Sequence, residues 1–149
     1  MDLTTDITPV YISRHCIAVR LRMLTRGVTK LYNDALRPRG LTISQMNILI
    51  AIACMGEARQ QQVCEALRLE KSTLSRDVVR MIARRWLLSA RGAAGRTLTL
   101  RLSASGKALL RAATPAWKQA QEKALALIGE EEVVALERAE KALRTGGIR

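Results

Sequence analysis

The sequence predicts a mainly α-helical domain carrying one small β-hairpin, and three observations predict it. The first is the material for a core. The chain of 149 residues is 48% apolar, yet it has no Phe and only two Trp and two Tyr. An interior filled by Leu, Ile, Val, Ala and Met favours packed helices over a sheet sandwich. The second is periodicity: apolar residues recur at helical spacing over most of the chain, while Thr97 to Leu102 alternates as a strand does. The third is charge. The formal net charge is +12, and from Lys71 to Arg111 every charged residue except Asp77 is Lys or Arg. Such a balance promotes binding to a polyanion.

The same composition bounds the class. This length is one domain, 1–149, able to bury a core without disulfides or metals. No apolar run approaches the roughly 20 residues that span a bilayer. Asp2 and Asp6 stand where a secretory signal would be basic, so a cytoplasmic chain without membrane association is expected. Cys16, Cys54 and Cys64 form no CxxC pair and His15 is the sole histidine. Reduced thiols, no metal site and no cofactor follow as expectations. With one histidine, no phosphate-cradling glycine motif and no paired carboxylates, an enzyme is not expected.

Taken in order, Met1 to Pro9 read as a lead-in. A helix is predicted over about 10–37, where Ile17, Leu21, Leu24, Val28, Leu31 and Ala35 step by four and three. That heptad seam suits a partner helix from a second copy, although packing on the chain's own core is the plainer use of an apolar face. Pro38 and Gly40 end it. A second helix starts within Thr42 to Gln45, with Ser44 as a cap and Met46, Leu49, Ile50, Ala53 and Cys54 at helical spacing. A short third helix covers about Gln60 to Leu67, burying Val63, Ala66 and Leu67.

The fourth helix, about Lys71 to Arg85, separates into two faces. Leu74, Val78, Met81 and Ile82 face a core, while Thr73, Arg76, Arg80 and Arg84 point outward with Ser72 and Ser75 beside them. Small hydroxyls near the helix start suit a phosphate or a base edge, and the arginines reach further along a groove. Two strands follow, from Trp86 and over Thr97 to Leu102, with Leu98, Leu100 and Leu102 inward. Arg91 and Arg96 flank the glycine-bounded turn between them, placed to enter a narrow minor groove. Ser103 caps a helix running past Pro115, which should kink or split it, to Ile128. A last helix opens at Glu130, acids first as its dipole prefers, with Val133, Leu136, Ala139 (or Glu140) and Leu143 as a narrow stripe. Helices over about 10–37 and 104–146 thus read as a dimerisation domain around a helix-turn-helix and wing over about 42–102. Cys54 and Cys64 read as small core residues.

The function expected from these residues is sequence-specific binding of double-stranded DNA by a homodimer. Lys71, Ser72, Thr73, Ser75 and Arg76 are assigned to the major groove, Arg80 and Arg84 to base or phosphate, and Arg91 and Arg96 to the wing; Arg84, Arg85 and Arg101 read equally as solvated surface. The alternative of an RNA or single-strand binder wants aromatic stacking platforms. No Phe, Tyr or Trp interleaves the basic stripe.

The order and spacing of several short motifs resemble the MarR (multiple antibiotic resistance regulator) family of winged helix-turn-helix transcription factors. They are Gly40-Leu41-Thr42 with Gln45, Lys71-Ser72-Thr73-Leu74-Ser75-Arg76, Trp86-Leu87, and Leu102-Ser103 with Gly106. The resemblance implies a regulator of transcription, a repressor in the first instance, whose dimer sets one winged helix on each half of a palindrome. Two positions depart from the family pattern. Where relatives carry Asp-x-Arg in the wing, Arg96 matches the Arg but Ala94 stands at the acid, and Arg68 stands where the helix-turn-helix often has Gly. The resemblance also implies a small aromatic or phenolic effector, for which Arg20, Tyr32 and Trp117 are the candidate ligands. An alternative in the same fold is redox sensing at Cys16, near Tyr11 and Tyr32. Against it, Cys16 sits about two residues early, and Ile43 stands where those sensors carry a tyrosine.

Overall fold

In the computed structural model, which describes residues 8–91 and 98–147, helices make up most of the chain. Thr8 opens α1 (Pro9–His15) by accepting the Tyr11 amide at its hydroxyl, 3.1 Å away. The single long N-terminal helix expected here is two helices, because Cys16 takes an extended ψ of 112° before α2 (Ile17–Leu36) begins. A 3-10 turn over Arg37–Arg39 follows, and Gly40, at φ 66°, turns the chain. The cap of α3 (Ile43–Met55) is Thr42, not Ser44. The Thr42 hydroxyl accepts the Gln45 amide while the Gln45 side chain accepts the Thr42 amide, a reciprocal box that satisfies two orphan donors.

The face of α3 also differs from expectation. Ile48 and Ile52 are fully buried beside Met46 and Leu49, whereas Ile50 and Cys54 are exposed. A two-residue strand β1 (Ala58–Arg59) then leads into α4 (Gln60–Leu67). Val63 is buried there, Cys64 and Leu67 pack against the core, and Ala66 is exposed. Helix α5 spans Lys71–Ala83 and buries Leu74, Val78 and Met81. Strands β2 (Leu87–Arg91) and β3 (Leu98–Leu102) pair antiparallel with Ala90 opposite Thr99, and β1 joins the far edge of β3, giving the order β1-β3-β2. Leu100 and Leu102 point into the core; Leu98 is exposed.

Both helices of the helix-turn-helix end in the same way. The Leu69 amide reaches the Cys64 carbonyl at 3.0 Å across a left-handed Arg68 (φ 52°). The Trp86 amide reaches the Met81 carbonyl at 2.9 Å across a left-handed Arg85 (φ 59°). This is the Schellman arrangement, in which glycine is the usual occupant. At Arg68 the sequence left open a left-handed arginine or a different turn, and the left-handed arginine is what forms; the second, at Arg85, carried no such signal. A left-handed L-residue costs about 1–2 kcal/mol, and at Arg85 the carbonyl recovers some of that by accepting the hydroxyls of Ser103 and Ser105, each at 2.5 Å. Arg85→Gly should therefore raise stability by up to about 1 kcal/mol, read as a higher Tm.

Despite Pro115, α6 (Ala104–Ile128) is one helix, and α7 (Glu130–Thr145) follows it. The main core joins the end of α2, α3, α4, α5, the sheet and Ala113 of α6. A smaller cluster of Tyr32, Ala120 and Ala124 joins α2 to α6. No residue of α1 or α7 is buried. The heptad seam divides accordingly: Val28, Leu31 and Ala35 pack inside the chain, while Ile17, Leu21 and Leu24 are 71%, 44% and 37% exposed.

Candidate nucleic-acid interface

One side of α5 is anchored by Leu74, Val78 and Met81, so its opposite side is fixed to face solvent. Ser72, Thr73, Arg76 and Arg80 are exposed on it, with Lys71 at the helix start and Ser75 half-buried at the edge. Ser72, Ser75, Arg76, Val79 and Arg80 line a shallow groove of about 470 Å³. Glu70, in the cap position, makes no side-chain bond to the first turn, although its carbonyl accepts the amides of Thr73 and Leu74. Arg80 lies 3.9 Å from Asp77 at its closest, a long contact that leaves its side chain 69% exposed. At that length and with Arg80 open to solvent, the pair is weak and easily exchanged for a phosphate.

Arg84, just past α5, behaves differently from the two arginines within it, Arg76 and Arg80. It sits in the cap position, donates to the Gly40 carbonyl at 2.8 Å and lies over the Trp86 ring at 5.0 Å. These contacts bind the end of α5 to the corner between α2 and α3, which is a positioning role. In the wing, Arg91 is exposed at the last described rung of β2, opposite Leu98. Arg96 and Ala94 lie outside the described residues.

Of the three residues considered for an effector, the structure brings two together. Tyr32 and Trp117 share the cluster between α2 and α6, where the Tyr32 hydroxyl donates to the Gln121 side chain and burial pushes its pKa up. Arg20 is three turns away on α2, about 18 Å by helical rise, and donates to the Arg14 carbonyl. A cleft of about 440 Å³ beside this cluster is lined by Lys30, Leu31, Asp34, Gln119, Ala120 and Lys123, with Gly27 and Ala35. A hydrogen bond from Lys30 at 2.5 Å holds the Asp34 carboxyl below the usual carboxylate range. These lysines escaped the sequence reading because their approach depends on how α2 crosses α6. Cys16 is half-buried at the α1–α2 break, and the ring stacked on Tyr11, at 4.2 Å, is that of His15.

A helix-turn-helix followed by a hairpin, with the second helix basic on its open side, defines a winged-helix protein. The comparisons agree: the profile of the MarR family matches residues 39–96, from the α2–α3 corner through the wing. A relative from Bacillus subtilis (strain 168), an uncharacterized HTH-type transcriptional regulator YwoH, is 28% identical over 82 residues, which cover 55% of this chain and 59% of that protein. A mutant MarR from E. coli, solved in complex with operator DNA, superposes with a TM-score of 0.81 at 17% identity, covering 91% of this chain and 99% of that one. Bordetella bronchiseptica BpsR, whose DNA binding is regulated by 6-hydroxynicotinic acid, superposes at 0.77 with 20% identity, covering 86% and 98%. The chain thus has the winged-helix fold of these solved structures, and its residues 39–96 are similar to the MarR family.

Proposed function

We propose that this protein binds a palindromic DNA operator as a homodimer and acts as a repressor, with α5 in the major groove and the wing against the flanking minor groove. The observation that carries the reading is the exposed face of α5, where Ser72, Thr73, Arg76 and Arg80 stand clear of the core beside a two-stranded wing. Lys71 and Ser75 belong to the same contact set, with Arg91 and Arg96 on the wing. The homodimer is supported by the unburied apolar residues of the terminal helices, among them Ile12, Ile17, Leu21, Met23, Val134 and Leu143. Two copies would place half-sites about one helical turn, roughly 10 bp, apart.

An aromatic or phenolic acid effector is supported by the cleft between α2 and α6, where Lys30 and Lys123 offer charge to a carboxylate beside Tyr32 and Trp117. The test is selection of bound duplexes from a random pool, repeated with candidate phenolic acids and with peroxide, alongside sedimentation of the free protein. A dimer that enriches a two-fold symmetric sequence, released by a phenolic acid, supports the whole reading. Enrichment of an asymmetric site or a monomer in solution removes the dimer, and release by peroxide alone would transfer the effector role to Cys16.

A further inference from the structure

We propose that Val79 reads the C5-methyl group of a thymine in the major groove, and so sets part of the sequence preference that the arginines beside it do not. The proposal rests on the operator-binding reading above. Outside the terminal helices and among the described residues, the exposed large hydrophobics are Ile50, Met55, Leu88 and Leu98 at 37–43%, and Val79 at 63%. Val79 is therefore the apolar side chain of the winged lobe that packs least on its own protein. Its place is the centre of the basic face: it lines one groove with Ser72, Ser75, Arg76 and Arg80. At 100° per residue it lies 60° from Arg76 and 20° from Ser72 around the helix axis, opposite Leu74 and Met81.

Helix stability does not explain a valine here, since a β-branched residue on an exposed helical position is worse than Ala or Lys. Its stiffness does suit recognition, because the single favoured χ1 rotamer in a helix presents both methyls with little freedom left to lose. The flanking guanidiniums commit the face to a polyanion, and the apolar feature that duplex DNA offers in the major groove is the thymine methyl. Arg76 and Arg80 supply donors for guanine or phosphate on either side of it. A site read this way should hold a thymine next to a base pair contacted by Arg76 in each half.

The test uses the duplex recovered from the random pool, with each thymine replaced in turn by deoxyuridine, which deletes the methyl and keeps the pairing. Wild-type protein should lose about fourfold in affinity per half-site at one thymine position, the worth of one buried methyl. Val79→Ala should bind the parent duplex more weakly by a similar factor and be indifferent to uracil at that position. Because Val79 is exposed and Ala is the better helix former, the variant should melt no lower than wild type. Equal binding of every uracil duplex, or a uracil effect that persists in Val79→Ala, overturns the assignment while leaving operator binding in place. Failure to enrich any duplex removes the operator reading, and this inference with it.

Discussion

Gly106→Ala should cost on the order of 3 kcal/mol and loosen the wing from the rest of the lobe. A Cβ built on Gly106 would lie 2.1 Å from the Trp86 carbonyl oxygen and 3.0 Å from its carbon. Both atoms are backbone, so no side chain can swing aside. The Trp86 carbonyl also accepts the Ser103 amide at 3.1 Å, with the Ser103 hydroxyl, whose shorter bond goes to the Arg85 carbonyl, 3.1 Å away. Ser103 in turn accepts the Gly106 amide at 2.9 Å as the cap of α6. The added methyl must therefore push α6 away from the root of β2, and the cap, the Arg85 turn and the strand pairing move together. Thermal unfolding measures the loss. Ser103→Ala is the milder comparison, at about 1 kcal/mol for a lost cap; a Gly106→Ala Tm at or above that of Ser103→Ala would show that the approach is looser than the backbone implies.

Arg76→Ala should weaken binding to the selected duplex by about fivefold to 150-fold per half-site if Arg76 reads a base, because one good bidentate contact discriminates by about 1–3 kcal/mol. Stability should not change, since Arg76 is exposed and makes no ion pair among the described residues. The comparison that gives the result its meaning is Arg84→Ala. That side chain ties Gly40 to the end of α5 and covers Trp86, so its loss should lower Tm and touch affinity through helix placement rather than through a lost base. Titration by fluorescence anisotropy at two salt concentrations separates the cases. A phosphate contact shallows the salt dependence by about one unit of slope, whereas a base contact changes sequence preference. Undiminished affinity in Arg76→Ala removes it from the reading set.

The winged lobe was legible in the sequence wherever one face was apolar and the other charged. The bounds of α4, the core face of α5 and the Ser103 cap all follow from local spacing or turn chemistry. Helix α3 was harder: Ile43 to Met55 is apolar nearly all round, so periodicity chose Ile50 and Cys54 where packing chose Ile48 and Ile52. Strand β1 escaped because two residues carry no alternation, and only its partner β3 defines it. The break at Cys16 escaped because no proline or glycine marks it, and the heptad seam begins only at Ile17, beyond it. On the open side of α5, helical spacing foretold that Thr73, Arg76 and Arg80, with Ser72 beside them, stand exposed. What spacing could not reveal was that Arg84 has a partner 44 residues away.

The naked apolar surface of α1, the first half of α2 and α7 has a consequence for dosage. A chain whose end helices are completed by a second copy, as proposed, populates its DNA-binding form in proportion to the square of its concentration when dilute. Halving the protein then reduces operator occupancy by more than half, so the gene it controls would respond to the regulator's own synthesis and dilution. Such a protein counts itself before it reads a sequence.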